Sequence, residues 1–195
     1  HTGFLWGRRE LLDSLEPARE HFIPPAAPHA YEGGTQNFEG IAGLSGAMEY
    51  LASADAEEPR GPFAAERCEP ADAAALGGAL RRSMTRVREY ETELAASLLS
   101  VFASVPGVAI LGDPDPARAA SRVPTVSFTI DGATPAAIVD RLAAASIQAR
   151  EGHMYAPRLL RAAGFDPAAG VARVSLCHYN TAEEIDRLAA ALRGL

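Results

Sequence analysis

The spacing of hydrophobic positions changes period several times along this chain, and each change predicts an element. Thr2 to Gly7 (T-G-F-L-W-G) is a short apolar run bounded by glycine, which predicts a buried strand. Arg9 to Leu15 then predicts a short helix, and Ile41, Leu44, Met48 and Leu51 recur on one face of another. The longest periodic stretch runs from Asp72 to about Ser104, where Leu76, Leu80, Met84, Val87, Leu94, Leu98 and Phe102 keep close to a helical repeat. Pro106-Gly107 stops it, and Val108 to Leu111 predicts a short strand.

Beyond Leu111, Gly112 to Ala120 (G-D-P-D-P-A-R-A-A) predicts a loop, and Val123 to Ile130 alternates apolar and polar residues as a strand with one polar side. Thr134-Pro135 supplies an N-cap and a first-turn proline for a helix whose core stripe is Ile138, Leu142 and Ala145. Ile147 to Arg150 predicts a strand, Glu151 to Pro157 a loop, and Leu159 to Ala163 a helix. Val171 to Leu176, rich in β-branched residues and launched from Gly170, predicts the last strand. Thr181 with Glu184 makes a capping box, and Ile185, Leu188, Ala189 and Leu192 give the terminal helix its apolar face. Short strands alternating with helices after one long helix predict a small α/β layer with helices packed on its sheet.

Two segments break the periodicity. Pro24, Pro25 and Pro28 mark an irregular loop that delivers E-G-G-T-Q-N-F-E-G, Glu32 to Gly40. Two glycines ahead of a hydroxyl, just before a helix start, leave backbone donors free to wrap an anion, although a plain turn with an N-cap has the same appearance. Gly40, Gly43 and Gly46 form a small-residue stripe read as close packing of a neighbouring element. From Ser53 to Pro70 the composition shifts to Ala, Glu, Pro and Gly, as in an exposed connection or domain boundary.

Composition narrows the function classes. At 195 residues and 48% apolar content the chain can bury a real core. A formal charge of −7 argues against a polyanionic partner such as nucleic acid, and no basic run points to a membrane surface. Every basic residue other than histidine is Arg, so no chemistry that needs a lysine amine resides in this stretch. Cys68 and Cys177 match neither a zinc spacing nor a redox pair, which makes a reducing compartment the default.

One residue is out of place in this pattern. Arg173 stands between Val171, Val174 and Leu176, in a strand expected to be largely buried, where a guanidinium is rare without a planar anion to receive its donors. A structural ion pair would explain it equally well. The loop after Ile147 adds Arg150, His153 and Tyr155, and His178, Tyr179 and Asn180 end the last strand. Together these make a candidate anion-binding corner with acid and base groups at hand. His153 and His178 lack the local spacing of a metal pair.

T-G-F-L-W-G-R, E-G-G-T-Q-N-F-E-G, A-R-E-G-H-M-Y-A-P and R-V-S-L-C-H-Y-N-T-A-E-E-I-D-R-L occur in this order and at separations that resemble the C-terminal half of a class V aminotransferase, in the cysteine desulfurase branch. The resemblance implies a pyridoxal 5'-phosphate enzyme of the aspartate aminotransferase-like α/β fold. Residues 1–69 would end its large cofactor-binding domain and residues 70–195 would form its small C-terminal α/β domain, beginning with the long helix. It implies that Thr35, beside Gly34, helps to hold the cofactor phosphate, that Arg173 takes the substrate carboxylate, and that Arg150 and His153 line the substrate side of the pocket. The Schiff-base lysine of the family falls upstream of His1 on this alignment.

Desulfurases of this branch carry a cysteine in the R-x-G-H-x-C-A loop, because a thiolate must attack the substrate sulfur. Tyr155 stands there in this chain, and Cys177 lies at another position. The expectation is therefore a desulfurase-like enzyme on an amino-acid substrate without the usual sulfur-accepting thiol, with Tyr155 as the candidate catalytic group. An aminotransferase, lyase or epimerase would fit. The parent protein is expected to be a cytoplasmic homodimer, and this stretch, opening on His within an apolar run, to be a piece of it. A non-catalytic α/β module that binds a small anion or amino acid is the alternative.

Overall fold

The computed structural model describes residues 2–53 and 73–193, with side chains from residue 75 onward in the second stretch. The chain divides into two compact units, His1–Ser83 and Met84–Leu195. Cys68 and most of the predicted connection lie outside the described residues.

In the first unit, residues 2–7 do not form the predicted strand. A strand needs a ladder, and among the described residues nothing pairs with this segment, which leaves Phe4, Leu5 and Trp6 at 74%, 73% and 78% exposure. Helix α1 (Arg9–Ser14) follows, with the Arg9 guanidinium on Asp13 at 3.0 Å. The other oxygen of Asp13 accepts the backbone N–H of Ala27 at 3.1 Å, and Tyr31 Oη donates to the carbonyl of Leu12 at 2.6 Å. The Ala27 amide first, then Arg9, hold the Asp13 carboxyl below the usual aspartate range. These bonds tie the proline-rich loop back onto α1 around buried Ile23, Ala27 and Ala30.

Helix α2 (Phe38–Ser53) is capped by Asn37, whose Oδ1 accepts the N–H of Gly40 at 3.0 Å. No residue of α2 is buried within the described chain: on its apolar stripe Ile41 and Met48 are exposed, and Leu44 and Leu51 are half-buried. A Cβ on Gly40 would meet the Thr2 hydroxyl at 1.9 Å, whereas Gly43 and Gly46 face open space. Close packing thus accounts for Gly40 alone of the three.

Helix α3 (Ala73–Ala103) starts in the first unit, where the buried Ser83 hydroxyl donates to the Leu51 carbonyl. Its later turns supply the second unit with Leu94, Leu98, Leu99 and Phe102, all buried. Strands β1 (Val108–Ile110), β2 (Thr125–Ile130), β3 (Arg150–Gly152) and β4 (Val171–Ser175) form an antiparallel sheet in the order β1-β2-β4-β3. Val126, Phe128 and Ile130 point into the core and the residues between them do not, which is the strict alternation read from the sequence. Phe102 and Phe128 meet with ring centroids 4.4 Å apart. Helix α4 (Pro135–Ala144) gives Ile138 and Leu142 to the same core, and α6 (Ala182–Leu192) gives Leu188 and Leu192. Thr134 caps α4 as expected, accepting the Ala137 N–H at 3.2 Å. Helix α5 (Pro157–Ala162) joins β3 to β4.

Several boundaries differ from the sequence reading, among them the start of β2, which falls at Thr125 and not at Val123. The predicted strand Ile147 to Arg150 shifts to Arg150–Gly152, because the Ile147 N–H returns to the Leu142 carbonyl at 2.9 Å and pairing with β4 begins only at Arg150. Helix α5 starts at Pro157, whose fixed φ suits a first helical turn. Within the predicted loop Gly112 to Ala120, Asp115 caps a 3-10 turn, Pro116–Ser121.

Candidate functional site

The register of the sheet places Ser127 of β2, Arg173 of β4 and Arg150 of β3 directly opposite one another in a single row. Opposed residues of an antiparallel pair share a face, so this row lies on the side of the sheet away from Val126, Phe128 and Val174. Arg173 is half-buried and Arg150 exposed. Among the described residues neither guanidinium has a carboxylate or carbonyl partner, so the structural ion pair weighed for Arg173 is not formed there. The chain carries 25 acids and only 18 arginines, yet none of those acids is spent on this pair among the described residues. Ser127 was not singled out from sequence. Its signal was the polar phase of the β2 alternation, which says that a position leaves the core but not what stands opposite.

The turn after β3 is tightly wound. Met154 and Tyr155 take φ of 49° and 59°, a left-handed region that side chains enter at a cost of about 1–2 kcal/mol each. The backbone N–H of Tyr155 donates to His153 Nδ1 at 3.1 Å, and the two rings meet edge to face at 6.3 Å. The Tyr155 side chain stands 99% exposed at the tip. Gly152, at φ 116°, and Gly170, at φ 75°, let β3 and β4 come together just before this turn: a Cβ on Gly170 would lie 2.6 Å from the Gly152 Cα.

Past β4 the chain turns into α6 through Cys177 to Thr181. The Cys177 N–H donates to Asn180 Oδ1 at 2.8 Å, the Asn180 N–H to the Cys177 carbonyl at 2.9 Å, and Asn180 Nδ2 to Glu184 at 2.8 Å. Tyr90 Oη of α3 donates to the Asn180 carbonyl at 2.7 Å. Asn180 is thus fully occupied in building the turn that ends the Arg173 strand. The His178 and Tyr179 rings meet at 5.3 Å, and Cys177 is a half-buried free thiol.

In the first unit, Gly33, Gly34 and Thr35 are exposed immediately ahead of α2, and the space beside both glycines is open. Asn37 and Gly40 close the helix start, and among the described residues the Thr35 hydroxyl has no partner. A free hydroxyl and open backbone at the positive end of a helix of 16 residues form a donor set that suits a phosphate. Among the described residues no three His, Cys, Asp or Glu side chains gather as a metal site, and no helix is long and apolar enough to cross a membrane.

Two solved structures share this architecture. The cysteine desulfurase CsdA of Escherichia coli matches with a TM-score of 0.68 at 23% identity, over 96% of this chain and 40% of that one. The apo cysteine desulfurase of Thermococcus onnurineus also gives 0.68, at 22% identity, over 96% and 42%. The fold is that of the pyridoxal-phosphate-dependent transferases. Residues 70–188 match the family described as aminotransferase class-V, and the chain belongs to it. A cysteine desulfurase of Synechococcus elongatus is 29% identical over 98% of this chain and 26% of its own length, and a probable cysteine desulfurase of Pseudomonas putida 30% over 98% and 41%. The aminotransferase-like protein FGM3 of Gibberella zeae is 35% identical over 57% of this chain. The chain spans well under half the length of these relatives.

Proposed function

We propose that this chain is the C-terminal portion of a pyridoxal-phosphate enzyme that acts on an amino acid, with residues 1–69 closing the large cofactor-binding domain and residues 70–195 forming the small domain. The observation that carries the reading is Arg173: a half-buried guanidinium in a core strand, with no counter-charge among the described residues, placed as a fork for a carboxylate. Gly34 and Thr35 are the residues suited to the cofactor phosphate. The cofactor, when bound, supplies an electron sink for bond breaking at the amino acid's α-carbon. The protein's part is grip and proton handling. Arg173 fixes the carboxylate, Arg150 and His153 bound the substrate side, and Tyr155 offers an exchangeable proton at its phenolic oxygen.

Because Tyr155 occupies the place of the sulfur-accepting cysteine, the reaction ends without a persulfide on that loop. Transamination, elimination and epimerisation are all within reach of such a site. The Schiff-base lysine is supplied from outside this lysine-free stretch, and the parent enzyme is a cytoplasmic homodimer on this reading. The test uses the full-length protein incubated with L-cysteine and with other amino acids. Cofactor spectral changes that Arg173→Ala weakens by about tenfold or more in substrate affinity, with no persulfide on the protein, support the reading. Persulfide accumulating on this chain sinks the thiol-free assignment, and an Arg173→Ala enzyme with unchanged affinity sinks the carboxylate role. A protein that binds an amino acid but never takes up the cofactor is instead the non-catalytic module.

A further inference from the structure

The turn ahead of α2 carries two consecutive amide side chains whose bonds run in opposite directions. Gln36 reaches back, and its Nε2 donates to the Gly34 carbonyl at 3.1 Å. Asn37 reaches forward and across: its Oδ1 accepts the Gly40 N–H and its Nδ2 donates to the Thr2 hydroxyl, both at 3.0 Å. The Gln36 carbonyl accepts the Phe38 N–H at 3.0 Å, so the backbone just beyond Thr35 is fixed as well. In a planar trans peptide the carbonyl and the N–H point to opposite sides. With the Gly34 carbonyl drawn toward Gln36, the N–H of Thr35 is turned away from that side chain. Among the described residues neither this N–H nor the Thr35 hydroxyl has a partner.

From this geometry we infer that Gln36 is a positioning residue for the cofactor phosphate: it holds the Gly34–Thr35 peptide with its N–H, and not its carbonyl, toward the anion. The inference rests on the phosphate role proposed for Gly34 and Thr35 and adds the group that orients them. Gly33 and Gly34 have open space where a side chain would stand, so sterics leave this peptide free to rotate. Turned over, it would present a carbonyl oxygen to the phosphate, and two electron-rich oxygens repel. The Gln36 tether decides between the two orientations. Its bond is exposed to solvent, where it competes with water and contributes little to folding. What it shifts is the balance between a peptide that donates to the ligand and one that opposes it.

The probes are pyridoxal 5'-phosphate and pyridoxal, which lacks the phosphate, bound to the cofactor-free full-length protein and followed by absorbance. Gln36→Met keeps the length of the side chain and removes the donor. It is expected to weaken pyridoxal 5'-phosphate by about three- to tenfold, and to leave both pyridoxal binding and the melting temperature of the cofactor-free protein unchanged. Thr35→Ala is expected to lower the preference for the phosphorylated ligand further, because it removes a donor to the anion itself. If Gln36→Met weakens neither ligand while Thr35→Ala weakens the phosphorylated one, the tether is incidental and the inference falls while the phosphate reading stands. If Gln36→Met weakens both ligands equally, or lowers that melting temperature by several degrees, Gln36 supports the fold of the turn and the inference falls. If Thr35→Ala leaves the preference for the phosphorylated ligand unchanged, the phosphate role falls and the inference with it.

Discussion

The backbone N–H of Tyr155 donates to Nδ1 of His153 at 3.1 Å, which fixes the imidazole as an acceptor on that side and leaves its proton on Nε2, the nitrogen available to a ligand. His153→Ala removes the acceptor and is expected to speed hydrogen exchange at the Tyr155 amide. Tyr155→Phe keeps the amide bond and is expected to leave that exchange unchanged. Amide exchange followed by NMR decides it; equal exchange in both variants means the bond does not hold the turn.

Gly170 and Gly152 both have positive φ, but only Gly170 faces backbone within 2.6 Å of where a Cβ would stand. Both alanine variants suffer backbone strain of about 1–3 kcal/mol. Gly170→Ala in addition pushes β3 away from β4. Its midpoint in urea should therefore fall further than that of Gly152→Ala, and substrate affinity should fall with it, since the same ladder sets Arg150 opposite Arg173.

Glu184 accepts from Asn180 Nδ2 at 2.8 Å and from the Thr181 N–H at 3.0 Å, and these bonds, that from Asn180 foremost, hold its carboxyl below the usual glutamate range. A carboxyl depressed in the folded state contributes stability above its unfolded value and loses it as pH falls through the folded one. The protein is expected to hold this contribution at neutral pH and to shed it on acidification below the ordinary glutamate range. Glu184→Gln keeps an acceptor but cannot titrate, so its stability should fall less steeply with acid. Parallel thermal melts across the acid range measure the difference.

Phe128 is fully buried against Phe102 at the centre of the second unit. Phe128→Ala is expected to cost about 3–5 kcal/mol, from lost transfer energy and the cavity left behind. Denaturant unfolding of the full-length protein reads this, and a loss below about 1 kcal/mol would mean that the sheet is not packed on α3 as described.

Phe4, Leu5 and Trp6 are largely exposed in the described chain, and so is Phe38 at 67%. Expressed alone, the 195-residue chain is expected to aggregate, and Leu5→Glu with Trp6→Glu to raise its soluble fraction. Light scattering at matched concentration compares them. A monomeric parent stretch with a sharp cooperative melt would contradict the expectation.

Periodicity made most of the second unit legible. The β2 alternation, the Thr134-Pro135 start of α4 and the capping box of α6 are local rules that tertiary packing left intact. The same rules misplaced β3, because a run such as Ile147 to Arg150 can pack its apolar residues on the core without entering a ladder, and only the partner strand decides where pairing begins. Residues 2–7 read as a strand for the same reason: an apolar run reports the wish to be covered, not the presence of a cover. The site was half visible. Arg173 announced itself by polarity in an apolar strand, whereas its alignment with Arg150 and Ser127 is a matter of register, which no one-dimensional pattern encodes.

Arg150 sits on a three-residue strand at the border of the sheet, with one neighbour strand, while Arg173 is anchored in an interior strand. Selection acting on this protein could therefore exchange the outer guanidinium for another side chain with little penalty to folding. The inner one is bound to the scaffold itself, so its replacement would disturb the sheet as well as any ligand that it holds.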